Sequence, residues 1–189
     1  MNLLRSGWST VRNAACLGCL VVSAMPARAQ TFVGLSGGWN YVAPVPLSAS
    51  YSRGWNVQAS IGWHVTTNFL WRIDALASQF DITAASQPCP LIGCSGPGYS
   101  FRHEVVNGLV ANALVNIDSR GLFYLIGGAG LYDVTTQTKA WHFGGSAGAG
   151  VAIPVASHLR AVVEARWHGL VGSTVGPPWL VPVTIGIRY

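Results

Sequence analysis

The chain has 189 residues, of which 50% are hydrophobic and 9% are charged, and its mean hydropathy is +0.38. Soluble domains carry about 25% charged residues, so this composition argues against a soluble sheet protein with a solvated face. The formal net charge of +5 is not gathered into a basic run, which argues against a nucleic-acid partner.

The first predicted element is a secretory signal peptide over residues 1–29. Arg5 and Arg12 lie in a stretch without acidic residues, and the segment 14–24 that follows is apolar or small throughout. Ala27-Arg28-Ala29 then has the small-x-small pattern of a cleavage site. The apolar segment is too short for a transmembrane anchor, which needs about 20 residues.

Residues 30–189 are predicted to form one all-β domain with eight strands. Apolar and polar side chains alternate along each segment, which is the period that gives a strand two different faces. In 54–66, for example, Trp55, Val57 and Trp63 share an apolar face, and Asn56 lies on the opposite, polar face. The predicted strands are 31–42, 54–66, 69–81, 101–117, 122–133, 141–153, 159–169 and 181–189.

The connections between these strands alternate strictly between short and long. An even number of antiparallel strands, with short turns at one end and long loops at the other, is typical of a bacterial outer-membrane barrel. The predicted fold is therefore an eight-stranded antiparallel up-and-down transmembrane β-barrel whose apolar face contacts lipid. Short connections are predicted at 66–68, 118–121 and 154–158, and long ones at 43–53, 82–100, 134–140 and 170–180.

Four tryptophans are predicted to form aromatic girdles at the two edges of the lipid-facing band. Trp55 and Trp63 lie near the two ends of one strand, about 27 Å apart at about 3.4 Å per residue, close to the height of such a band. Trp71 and Trp167 occupy the apolar faces of their own strands.

Five charged residues are predicted on the polar faces of strands, which would turn inward: Arg72, Asp74, Glu164, Arg166 and Arg188. Charges are costly on a lipid-facing surface, so the lumen is where they belong. One interpretation is a set of ion pairs that fills the narrow interior, and the other is a small selective pore. The limited space inside eight strands favours the first.

Cys89 and Cys94 lie in the longest predicted loop and are predicted to form a local disulfide. No further ligands stand near them, so neither a metal site nor a cofactor is expected. Candidate catalytic pairs are His142 with Ser146, and His168 with Glu164, but no strained nucleophile turn surrounds Ser146. We therefore expect a non-enzymatic protein, with a lipid-modifying enzyme as an alternative.

Segments 124–132 (YLIGGAGLY), 143–151, 162–167 (VVEARW) and 183–189 together resemble the small outer-membrane β-barrel family of the OmpA-transmembrane-domain and OmpX type. The resemblance implies an outer-membrane location, membrane lipids as partners, periplasmic termini and four outward loops that contact a surface ligand.

The closing strand looks like the signal that the outer-membrane assembly machinery reads. Ile187 and Tyr189 stand in its aliphatic and aromatic places, whereas Thr184 stands where that signal usually has glycine. The family is functionally mixed, so the fold alone transfers no activity. We expect a structural or surface-interaction role through the loops.

Overall fold

The computed structural model describes six stretches of the chain. The predicted signal peptide, 1–29, and the predicted disulfide of Cys89 and Cys94 lie outside the described residues. No helix among the described residues is long and apolar enough to cross a membrane. The described residues are 31–41, 49–51, 54–85, 99–135, 139–172 and 179–189.

Eight strands close into an antiparallel barrel, in the ring order β4-β3-β1-β9-β8-β7-β6-β5, with β5 pairing back onto β4. A ninth, short strand, β2, pairs with the far end of β4. The predicted eight-stranded up-and-down barrel is confirmed. The strands are β1 Thr31–Tyr41, β2 Ala49–Tyr51, β3 Gly54–His64, β4 Phe69–Ala85, β5 Tyr99–Asn116, β6 Phe123–Thr135, β7 Lys139–Pro154, β8 Arg160–Leu170 and β9 Trp179–Arg188.

The predicted loop 82–100 is wrong at both of its ends. β4 continues to Ala85 and β5 already begins at Tyr99, because backbone pairing carries on past the amphipathic part of both strands. The predicted loop 43–53 likewise contains β2, which pairs with this extension of β4. Backbone hydrogen bonds need no alternation of side chains, so the hydrophobic pattern could not reveal these extensions.

The barrel has two ends of different character. Short turns 65–68, 117–122 and 155–159 lie at one of them, together with Thr31 and Tyr189, and we call this the turn end. The other is called the loop end. Tyr41, Ala85, Tyr99 and Leu170 lie there.

The outward face of the barrel is apolar and the inward face is closely packed. Along β3, Trp55 and Val57 are exposed while Asn56 and Gln58 are buried. The same alternation of exposed and buried residues runs along β8. The predicted two-faced strands are therefore confirmed, and Glu164 and Arg166 of β8 point into the barrel.

Candidate functional site

The inward side chains form three layers along the barrel. On β4, Leu70 is followed by Arg72 and Asp74 and then by Leu76, and all four are buried. Two apolar clusters thus enclose a polar layer. The turn-end cluster consists of Phe32, Leu70, Leu114, Tyr124, Ile126, Ala152 and Val162, and the loop-end cluster of Leu76, Phe80, Val106, Val110, Tyr132, Val134, Leu170 and Leu180.

A ring of four buried charges occupies the polar layer. Arg72 donates two hydrogen bonds to Glu164 in a fork, Nη1 to Oε2 at 2.9 Å and Nη2 to Oε1 at 2.8 Å. Its Nε lies 3.0 Å from Asp74 Oδ1. Arg166 completes the ring, with Nη1 2.8 Å from Asp74 Oδ2 and Nε 2.8 Å from Glu164 Oε1. Each charge therefore touches two of opposite sign, and the ring is electrically neutral.

Three uncharged polar groups make further hydrogen bonds to this ring. Tyr124 donates its hydroxyl to Glu164 Oε2 at 2.7 Å, and Asn112 Nδ2 donates to Asp74 Oδ2 at 2.8 Å. Gln58 Oε1 accepts a hydrogen bond from Arg166. Buried charges need such extra partners, because an unpaired charge in a dry interior is very costly.

The sequence-based site did not include Tyr124, although its hydroxyl contacts Glu164 directly. Tyr124 faces the lumen opposite Gly150 of β7, and a Cβ at Gly150 would collide with its ring. An aromatic residue paired with a glycine on the neighbouring strand was the available signal. It is weak in strands that contain many glycines.

Arg188 is the one predicted lumen charge that lies apart from the ring. Its guanidinium carbon is 4.9 Å from the centre of the Phe32 ring and 5.4 Å from that of Tyr124. It therefore rests on aromatic faces at the turn end, where it is partly exposed. Four of the five predicted charges come together, and the fifth occupies a separate place.

The four predicted girdle tryptophans lie on the outward face. Trp55 pairs with Trp39 across β1 and β3 near the loop end, and Trp63 pairs with Trp71 across β3 and β4 near the turn end. Trp167 is exposed on β8. The sequence reasoning missed Trp39, although it lies directly opposite Trp55.

Ile187 and Tyr189, the predicted assembly residues, are exposed on the outward side of β9 and just after it. Ile187 lies opposite Leu35 of β1. The backbone of Tyr189 exchanges two hydrogen bonds with Val33, at 2.8 and 2.9 Å. Both residues thus lie at the seam between β1 and β9, the first and last strands of the chain.

In each candidate catalytic pair, one residue contacts a side chain outside the pair. Ser146 donates its hydroxyl to Asn112 Oδ1 at 2.9 Å, and His168 Nδ1 lies 2.8 Å from the Tyr132 hydroxyl. Within the described ranges, His, Cys, Asp and Glu side chains form no group of three that could hold a metal ion.

Comparisons with known proteins are informative at the level of the fold. No protein-family model matches the chain, and no curated protein matches it. The solved structure of Neisserial surface protein A is similar at 14% identity and a TM-score of 0.56, over 84% of this chain and 95% of that one. The outer membrane protein OprG from Pseudomonas aeruginosa has 11% identity and a TM-score of 0.49, again over 84% and 95%. The likeness to Neisserial surface protein A shows that the two chains share a fold.

Proposed function

We propose that this protein spans the bacterial outer membrane as a closed, non-conducting barrel, without enzymatic activity. Its role is structural or surface-interacting, through the connections at the loop end. The turn end faces the periplasm. The observation that carries the proposal is an apolar outer wall around a lumen that two apolar clusters and the ring of charges fill.

The outer wall supports a membrane location. Large apolar side chains are more than half exposed in the middle of several strands, among them Leu35, Leu109, Phe143 and Ile185. In water such a belt would be costly, because burying apolar surface is worth about 25 cal/mol per Å². Soluble monomers rarely expose apolar patches beyond a few hundred Å². Lipid tails remove that cost, and closure leaves no unpaired strand edge in the bilayer.

The lumen argues against the pore alternative. An ion entering from the turn end meets the apolar turn-end cluster, then the neutral ring of charges, and then the loop-end cluster. The four charges of the ring, at the middle of this path, already neutralise one another at 2.8–3.0 Å. An eight-stranded barrel is just wide enough for side chains to fill it. We therefore expect a silent planar bilayer, whereas discrete openings that change in Arg166→Ala would support the pore.

The loop end is the natural contact surface of such a barrel. β4 and β5 remain paired beyond the level of Trp55, up to Ala85 and Tyr99. β2 adds a third strand to this projecting edge. A paired ribbon projecting from a rigid barrel can carry binding residues outward, since binding residues concentrate on loops held by a scaffold.

Cell fractionation is the first experiment. We expect the protein in the outer-membrane fraction, with gel migration that changes on boiling, as expected for a barrel that resists detergent until heated. Recovery of the protein in the soluble periplasmic fraction would contradict the proposal. For the enzymatic alternative, lipid A and phospholipid profiles are compared with and without expression, and we expect them to be unchanged.

The seam residues Ile187 and Tyr189 suggest recognition by the outer-membrane assembly machinery. Tyr189→Ala should lower the amount of assembled barrel in cells while leaving refolding in detergent unchanged. Tyr41→Ala is the matched control, because Tyr41 is also an exposed aromatic on a seam strand but lies at the loop end. Equal assembly of both variants would contradict this part of the proposal.

A further inference from the structure

Two arginines face each other at the turn end of the barrel. Arg160 of β8 and Arg188 of β9 are direct partners across neighbouring strands. Like charges placed opposite one another in a sheet destabilise it. Arg160 donates from Nη1 to the carbonyl oxygen of Gly121 at 2.9 Å, and Arg188 lies on the rings of Phe32 and Tyr124. Neither contact neutralises a positive charge.

The acidic residue of the nearest turn is fully occupied by its own backbone. Asp118 accepts hydrogen bonds from the amides of Arg120 and Leu122 on Oδ2, both at 3.1 Å, and from Phe123 on Oδ1 at 2.7 Å. Its carboxylate therefore holds the turn 117–122 together. Among the described residues, no carboxylate forms an ion pair with Arg160 or Arg188.

Glu164 is the other acidic residue close to Arg188, and it is also occupied. Both line the same small cavity between β1 and β9. The oxygens of Glu164 are held by Arg72, Arg166 and Tyr124. The acid on that side of the cavity is thus paired, whereas Arg188 is not.

The cavity beside Arg188 offers further hydrogen-bond donors. Ser36 and Ser60 contribute to its lining, and each carries a hydroxyl that can donate, whereas the Thr184 hydroxyl already donates to the backbone carbonyl of Glu164 at 3.4 Å. A guanidinium stacked on aromatic faces keeps its N–H groups free at the edge of its plane. The wall of this cavity is therefore rich in donors, and its charged acceptor is already in use.

We propose that Arg188 and Arg160 form a binding site for a phosphate-type oxyanion at the turn-end mouth of the lumen. A phosphate group presents several acceptor oxygens, and arginine matches that geometry with paired N–H donors. The bound anion would relieve the repulsion between the two arginines. The site is distinct from the neutral ring and does not depend on a role for the loops.

The test is a phosphate titration of the purified protein in a phosphate-free maltoside detergent. Calorimetry and the side-chain Nε–H signals of ¹⁵N-labelled arginine should report saturable binding of inorganic phosphate, with chloride salts as the reference. Arg188→Gln and Arg160→Gln should each weaken binding roughly tenfold or more, as expected for a lost charged hydrogen bond.

Arg120→Gln is the matched control, since it removes an arginine from the same end. Arg120 is exposed in the turn 117–122 and should leave the phosphate affinity within about twofold, because exposed charges act weakly. Boiling-dependent gel migration establishes that each variant is folded. Absence of saturable binding by the unaltered protein would overturn the proposal, as would wild-type affinity in folded Arg188→Gln.

A second comparison separates the two sources of phosphate. The protein is placed in nanodiscs of phosphatidylglycerol or of a neutral digalactosyl lipid. If the phospholipid headgroup is the ligand, phosphatidylglycerol nanodiscs abolish the phosphate titration and shift the Arg188 signal by themselves. If the ligand is soluble, the titration is the same in both kinds of nanodisc.

Discussion

Glu164 receives charged or polar contacts from three side chains inside the barrel, Arg72, Arg166 and Tyr124. A buried ion pair is worth little compared with a well-packed apolar replacement, but removing one partner leaves an uncompensated charge. An ion pair that has one exposed partner contributes less to stability. Lys139 pairs with Asp133 at 3.0 Å, but its side chain is 60% exposed.

These two pairs give a prediction about stability. Glu164→Gln should lower the free energy of unfolding by about 3–5 kcal/mol, because Arg72 and Arg166 then share a single carboxylate. Lys139→Gln should cost less, about 1–2 kcal/mol, since water screens the exposed ammonium although the side chain of its partner Asp133 is only 10% exposed. Urea unfolding of the barrel in lipid vesicles, followed by tryptophan fluorescence, measures both. Equal losses for the two variants would contradict the buried ring.

The environment of Asp118, in a turn outside the barrel wall, predicts that stability depends on pH. The backbone amide of Phe123, and then those of Leu122 and Arg120, hold the pKa of Asp118 below its ordinary value of 3.8. A lowered folded-state pKa stabilises the turn at pH values above the unfolded pKa, and this contribution is lost as the pH falls through the folded pKa.

Asp118→Ala should therefore be less stable than the unaltered protein at neutral pH, and the difference should shrink as the pH drops below about 4. Thermal unfolding at several pH values checks this, and an NMR titration of the Asp118 carboxyl should place its pKa below 3.8. A deficit that stays constant down to the lowest pH would show that the carboxylate charge is not the cause.

At the level of strands, glycines on β6 divide by the face they occupy. A Cβ at Gly128 would collide with the Ala111 carbonyl oxygen and with Asn112, whose amide is held by Asp74. Its chain neighbour Gly127 points outward, and the nearest atom to its Cβ position is the Ser146 carbonyl oxygen at 3.8 Å. Crowding inside the barrel thus explains the inward glycine, but not the outward one.

Gly128→Ala and Gly127→Ala form a matched pair of variants. Gly128→Ala should destabilise the barrel by about 1–3 kcal/mol through overpacking. Gly127→Ala should be neutral or stabilise it by up to about 1 kcal/mol, because alanine restricts the unfolded chain more than glycine. The same vesicle unfolding assay compares them, and a reversed order would refute this assignment of faces.

This contrast also explains how far the sequence could predict the structure. Strands such as β3 and β8 alternate bulky and polar residues, so their faces follow from side-chain period alone. On β6, Gly127 and Gly128 are identical in kind, and no pattern tells which one points inward. The ends of β4 and β5 depend on backbone pairing, which leaves no trace in hydrophobicity.

For the barrel as a whole, the pairing of charges depends on closure. Arg72 and Glu164 are separated by 92 residues and belong to β4 and β8, which are not neighbours in the ring. Alternation predicts that both side chains point inward, but only the register of the intervening strands decides that they meet. The sequence therefore indicated which residues fill the lumen, and the closed ring supplies their partners.

Closure also creates an outer wall that either lipid or water surrounds. Charges placed at different heights on this wall distinguish the two. Ala129 is exposed in the middle of β6, opposite Ala111 and Gly145. Val155 is exposed in the turn after β7. Neither side chain points into the barrel. Any loss of stability on substitution by arginine therefore comes from the solvent around the wall and not from packing in the lumen.

If lipid surrounds the wall, Ala129→Arg should cost about 2–4 kcal/mol in vesicles, and Val155→Arg about 0–1 kcal/mol, because the cost of a charge falls from the bilayer midplane to its edge. If water surrounds the wall, both substitutions are changes at exposed sites and both costs stay within about 0.5 kcal/mol. Repeating the measurement in thicker and thinner bilayers sharpens the result. The penalty at Ala129 should persist in both, since a residue at mid-height stays within the hydrocarbon layer, whereas one near an edge would not.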